Sequence, residues 1–141
     1  MKLSEHFSLG ELTKTNYVTK DGNFPSRVAI ENLTNICENW LEALRQAQGP
    51  LIINSGYRSP EVNKFAGGSS TSNHLTGCAV DIRVAGFEQA VRYASILLDI
   101  SDGTKQDYDE LFIEKNSSGR YWIHFAVRPK DNRRKSGFIK V

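Results

Sequence analysis

The stretch from Arg27 to Gln46 constrains this chain most. Leu33, Ile36, Cys37, Trp40, Leu41 and Leu44 recur at the three- and four-residue spacing that lines one face of a helix. Pro25 and Ser26 suit the start of that helix, and Gly49-Pro50 ends it. An apolar stripe containing a Trp must be covered by other elements. This helix is therefore the expected backbone of the core.

The segments that would cover it follow in order. "LIINS" (Leu51 to Ser55) reads as a short strand, and "SPEVNKFA" as a short helix with Ser59 as cap and Pro60 in the first turn. Gly67-Gly68 opens a loop. "CAVDIRV" (Cys78 to Val84) alternates as a strand, with Cys78, Val80, Ile82 and Val84 on one face and Ala79, Asp81 and Arg83 on the other. A second amphipathic helix is expected at Phe87 to Leu98, anchored by Phe87, Val91, Ala94 and Leu98, followed by a polar turn, "SDGTKQ". Two strands come last, "ELFIE" (Glu110 to Glu114) and "YWIHFAV" (Tyr121 to Val127), joined by the turn "KNSSG". The pattern predicts an α+β fold, a small mainly antiparallel sheet packed against two principal helices, in one domain spanning residues 1–141.

Bulk properties narrow the function classes. With 141 residues, 39% apolar and 24% charged, the chain can bury a single respectable core. A net charge of +2 is too mild to argue for a nucleic-acid partner, and "RPKDNRRK" (Arg128 to Lys135) reads as solvated surface. No apolar run reaches membrane-span length, and "MKLSEHFSLGEL" lacks the apolar stretch of a secretory signal. The expectation is a monomer made in the cytoplasm, without membrane insertion. Cys37 and Cys78 form no Cys-x-x-Cys pattern and read as free buried thiols. His6, in a polar segment, reads as a non-ligand.

Three side chains stand out. His74 and Asp81 are seven apart, with Gly77 in the spacer, which puts His74 in a loop and Asp81 on the non-core face of a strand. His124 shares a face of the last strand with Trp122 and Ala126. If those two strands are neighbours, Asp81 and His124 converge beneath the loop carrying His74. A His, Asp, His set with one open position suits a catalytic zinc. A lone strand histidine is more often a satisfied structural group, so the spacing alone leaves both readings standing.

"SNHLTGCAVDI" also resembles the Ser-x-His-x-x-Gly-x-Ala-x-Asp signature of zinc D-alanyl-D-alanine carboxypeptidases and the related phage peptidoglycan endopeptidases, with Ser72, His74, Gly77, Ala79 and Asp81 at the fixed positions. "SGYRSPEVN" looks like that family's Ser-Gly-Tyr-Arg-Ser segment. "YDELFIE…WIHFAV" is similar to its strand pair, and "HFSLGELTKT" to the start of its compact members. The resemblance implies the fold shared with Hedgehog-type domains, and zinc held by His74, Asp81 and His124. It implies hydrolysis of a peptide bond in peptidoglycan stem peptides, as carboxypeptidase or endopeptidase, by attack of zinc-bound water. It also implies a phage or prophage source acting on the cell wall.

The resemblance makes Arg58 the substrate-clamping arginine, a role a planar guanidinium suits by gripping a carboxylate or carbonyl with two parallel hydrogen bonds. Ser72 would bind substrate or orient the His74 loop, and Trp122 would line the substrate site. The chain departs from the family where many relatives place a Glu three residues, or a His two residues, before the last ligand. Here those positions hold Tyr121 and Trp122. Glu114 becomes the expected general base, with Glu110 and Asp109 as runners-up. The competing reading is a non-catalytic module that keeps zinc for stability or binding.

Overall fold

A computed structural model describes residues 1–141. Five helices and five strands follow in the order α1 (Leu9–Thr13), α2 (Arg27–Ile36), α3 (Glu42–Gln48), β1 (Ile53–Ser55), α4 (Pro60–Phe65), β2 (Ala79–Arg83), α5 (Phe87–Thr104), β3 (Glu110–Lys115), β4 (Tyr121–Ala126) and β5 (Lys135–Lys140). One wide π turn, Cys37–Leu41, joins α2 to α3, so residues 27–48 run as one long helix. Ser26 caps its start by accepting from the Ala29 amide, and Gly49 ends it at a positive φ of 87°.

The stripe predicted for this helix is the centre of the core. Leu33, Ile36, Cys37, Trp40, Leu41 and Leu44 are all completely buried. The Trp40 ring meets Phe125 of β4 with centroids 5.0 Å apart, which locks the helix to the middle of the sheet. Cys37 and Cys78 are buried free thiols; Cys37 belongs to the core cluster, and burial raises its pKa to about 12.

The sheet has the order β1-β2-β4-β3-β5. Every pairing is antiparallel except that of β3 with β5. This is the α+β arrangement with a mainly antiparallel sheet and two principal helices that the sequence predicts. Asp81 lies directly opposite His124 in the β2–β4 register, and Phe112 lies opposite His124 from the other side. Glu110 and Glu114 sit two residues either side of Phe112, so both share its face and flank His124 diagonally.

Several elements differ from the sequence reading. The second helix runs on through "SDGT" to Thr104, where a turn was expected, because Ser101 is buried and donates to the Gln106 carbonyl. Its buried face is Ala90, Tyr93, Leu97 and Ser101, while Phe87, Val91 and Leu98 of the expected anchor set are exposed. Both series are apolar and adjacent around the helix, so periodicity alone does not choose between them. Strand β5 was not anticipated, since the expected strands end at Val127. It is an edge strand with almost every residue exposed, so it lacks the alternation that marks a half-buried strand. The five-residue helix α1, closed by a reciprocal Ser8–Glu11 capping box, was likewise too short to show a period.

Candidate metal centre

The loop before β2 is built to aim His74. Residues Asn73–Thr76 form one 3₁₀ turn, and Ser72 caps it by accepting from the His74 amide at 3.2 Å. Gly77 closes the turn in the left-handed region at φ 73°, where a Cβ would also collide with the Ala29 carbonyl of α2. The His74 backbone carbonyl in turn accepts from the Arg58 amide at 3.0 Å.

These elements bring His74, Asp81 and His124 together, with one potential ligand atom from each lying within 4.8 Å of the others. His74 Nε2 lies 3.3 Å from Asp81 Oδ1, and His124 Nδ1 lies 3.1 Å from the same oxygen. The remaining nitrogen of each ring is anchored. His74 Nδ1 is 2.7 Å from the Gly56 carbonyl oxygen, to which it can only donate. His124 Nε2 is 2.9 Å from Glu110 Oε1. A ring that donates from one nitrogen offers a lone pair at the other, which is the tautomer a metal ligand needs. Gly56 is required here because a side chain would run into the Leu12 carbonyl, so the backbone can approach His74 only without one.

Without an ion, the electrostatics place a proton where a metal would otherwise sit. Burial alone would raise the Asp81 pKa, yet the adjoining imidazoles of His74 and His124 hold its carboxyl far below the usual carboxylate range. Burial disfavours a charged His124, yet hydrogen bonds to Asp81 and Glu110 push its pKa up to about 10. The pocket therefore favours positive charge between these carboxylates. Two imidazole nitrogens and one carboxylate oxygen are a donor set that suits zinc and leaves a coordination position over.

The other expected site residues fall around the same cleft. A cavity of about 640 Å³ is lined by Arg58, Ser72, Glu114 and Trp122 as well as by the three clustered residues. Arg58 is largely committed within the protein. Its Nη2 donates to Asp81 Oδ2 at 3.1 Å, its Nε to Ser55 at 3.0 Å, and its Nη1 makes a longer contact to Asn63 at 3.4 Å. It thus secures the far oxygen of Asp81, and two of its five N–H donors remain for another partner.

The three candidate carboxylates have separate environments. Asp109 is fully buried, and although burial opposes its charge, a two-pronged bond from Arg133 and one from Asn73 hold its pKa at about 2. Glu110 accepts from His124 and from Asn73, which lowers its pKa. Glu114 is different. Burial raises its pKa, Trp122 Nε1 donates to its Oε1 at 2.9 Å, and Oε2 has no protein partner. Among the three, only Glu114 combines a raised proton affinity with an unpartnered oxygen, and it lines the cleft.

Three participants were not legible in the sequence. Asn73 is buried and ties the turn to Asp109, Glu110 and Arg128. No pattern marked it. Arg128 and Arg133, expected to be plain solvated surface, line the cleft and pair with Asp109. Their carboxylate partner is close in sequence to β3 but far from the basic run, so only the fold reveals the pairing. His6 pairs with Glu42 and stays apart from the cluster.

Comparison with known proteins agrees with this geometry. Residues 5–110 match the family described as Peptidase M15. The chain is also 30% identical over 125 residues to a "Zinc D-Ala-D-Ala carboxypeptidase" of Streptomyces albus G, an alignment covering 83% of this chain and 48% of that protein. The chain thus spans about half the length of that curated relative. The family match holds Arg58, Ser72, His74 and Asp81 but stops short of Glu114, Trp122 and His124, which join the site through the strand register. On the extent of that match, the chain belongs to the Peptidase M15 family.

Proposed function

We propose that the protein is a zinc-dependent peptidase that hydrolyses a peptide bond in peptidoglycan stem peptides. The observation that carries this reading is the paired orientation of His74 and His124. Each is anchored through one nitrogen and presents the other toward Asp81, on the wall of a cleft that also holds a free carboxylate oxygen. The substrate class is supported by the named activity of the Streptomyces relative.

His74, Asp81 and His124 would hold the ion, which when bound supplies a Lewis acid and a water of lowered pKa. Glu114 acts as the proton carrier: its raised pKa and free Oε2 suit it to accept a proton and return it to the leaving amine. Glu110 fixes the ring of His124 and is thereby unsuited to carry protons. Arg58 keeps the second oxygen of Asp81 in place, and its two uncommitted N–H groups are available to substrate in the cleft that it lines. Ser72 holds the His74 turn, and Trp122 forms a wall while fixing Glu114.

A non-catalytic zinc-containing module is the second reading, favoured by the commitment of Arg58 to protein partners. Mass spectrometry of defined peptidoglycan fragments incubated with zinc-loaded protein separates the two. Loss of a terminal alanine identifies a carboxypeptidase, and cleavage within a stem or cross-link an endopeptidase. Unchanged fragments with zinc demonstrably bound would establish the non-catalytic module.

A further inference from the structure

On the far side of Trp122 lies a second cleft of about 760 Å³, and Trp122 is shared by both cavities. Three exposed cationic side chains line it: Lys14 just after α1, Arg83 at the end of β2, and Arg120 beside β4. No Asp or Glu lines this cleft. Six of the nine arginines in the chain have a carboxylate within 4.0 Å; Arg83 and Arg120 are two of the three that do not. Arg83 makes a single side-chain hydrogen bond, from Nε to Asn54 Oδ1 at 3.1 Å, which leaves four donors open. The contrast with the first cleft is sharp, since Arg128 and Arg133 there are already balanced by Asp109.

A concave, acid-free site with three unmatched cations selects an anion, and guanidinium groups select carboxylate in particular through paired, charge-assisted hydrogen bonds. Because both clefts share Trp122, a peptide whose scissile bond lies against His74, Asp81 and His124 can extend across Trp122 into this one. We infer that the cleft of Lys14, Arg83 and Arg120 is a specificity subsite that binds a free carboxylate on the substrate peptide, away from the bond that is cut. The inference rests on the peptidase reading for its substrate class, but the subsite itself is a matter of binding and is tested as such.

The test uses two stem-peptide probes that share the same cleavable bond and differ in one side carboxylate, free in one and amidated in the other. Binding of each fluorescent probe to zinc-loaded protein is measured by anisotropy, alongside KM and kcat. The native protein binds the free acid about tenfold tighter than the amide, the size expected for losing one charged partner of a paired contact. Any difference in turnover falls in KM rather than kcat. In the Arg83→Gln/Arg120→Gln variant the ratio of the two affinities falls to about one. Equal binding of both probes by the native protein overturns the inference, as does a preference that survives in the double variant. Hydrolysis of neither probe, with the binding preference intact, overturns the peptidase reading and leaves the subsite standing.

Discussion

Replacing Glu110 by Ala tests how this site is held together. Glu110 Oε1 is the hydrogen-bond partner of His124 Nε2 at 2.9 Å, and it also accepts from Asn73, which anchors the His74 turn. Its removal leaves the His124 ring held at Nδ1 by Asp81 alone and leaves Nε2 without a partner on a largely buried side chain, 12% exposed. Loss of such a carboxylate behind a metal-ligating histidine typically lowers metal affinity 10- to 100-fold. That is about 1.4 to 2.7 kcal/mol. Glu110→Gln retains an acceptor oxygen without the charge and is expected to fall between the native protein and the Ala variant. The assay is competition for zinc against a chelator of known affinity, with the melting temperature of the zinc-free protein measured in parallel. A zinc affinity of Glu110→Ala within threefold of the native value would show that Glu110 does not hold His124 for the metal. So would a loss fully explained by a lower melting temperature.

Three further outcomes are expected. Glu114→Gln should retain zinc affinity while kcat falls by about 10² to 10⁴, the usual contribution of a positioned acid–base group; steady-state kinetics with zinc content checked on the same sample decides this. Asp109 should stabilise the fold above pH 4. Its folded pKa of about 2 lies below the ordinary 3.8, so the contribution, about 2 kcal/mol, is present above the unfolded pKa and lost as pH falls from 4 toward 2. Urea titrations of the zinc-free protein across that range should show this acid limb, flattened in Asp109→Asn. Gly77→Ala should destabilise by more than about 1 kcal/mol, from its positive φ and the clash with Ala29, and should weaken zinc binding through the displaced His74 turn.

Much of this architecture could be read from residue order, and the exceptions share a cause. The long helix was legible because its six core residues repeat at one period and all are buried. The meeting of Asp81 with His124 required only that β2 and β4 be neighbours, which the alternating faces of two strands make testable on paper. The ranking of Glu114 above Glu110 and Asp109 rested on the family resemblance, because strand alternation alone does not separate the three. All three sit on or beside one strand, and their roles diverge only through partners up to 37 positions away: Asn73 for Glu110, Arg133 for Asp109. Strand β5 escaped because an exposed edge has no buried face to impose a pattern. The resemblance makes Arg58 a substrate clamp, and local sequence does not reveal that three of its N–H donors go to Asp81, Ser55 and Asn63.

In the proposed function, one ion held by His74, Asp81 and His124 makes this cleft a hydrolase. It is tested most directly by adding zinc stepwise to the metal-free protein while following cleavage of a peptidoglycan stem peptide. Activity should rise with zinc and break at about one equivalent, with no such rise in His124→Ala. Cleavage by the metal-free protein, or an undiminished break in the His124 variant, would contradict it.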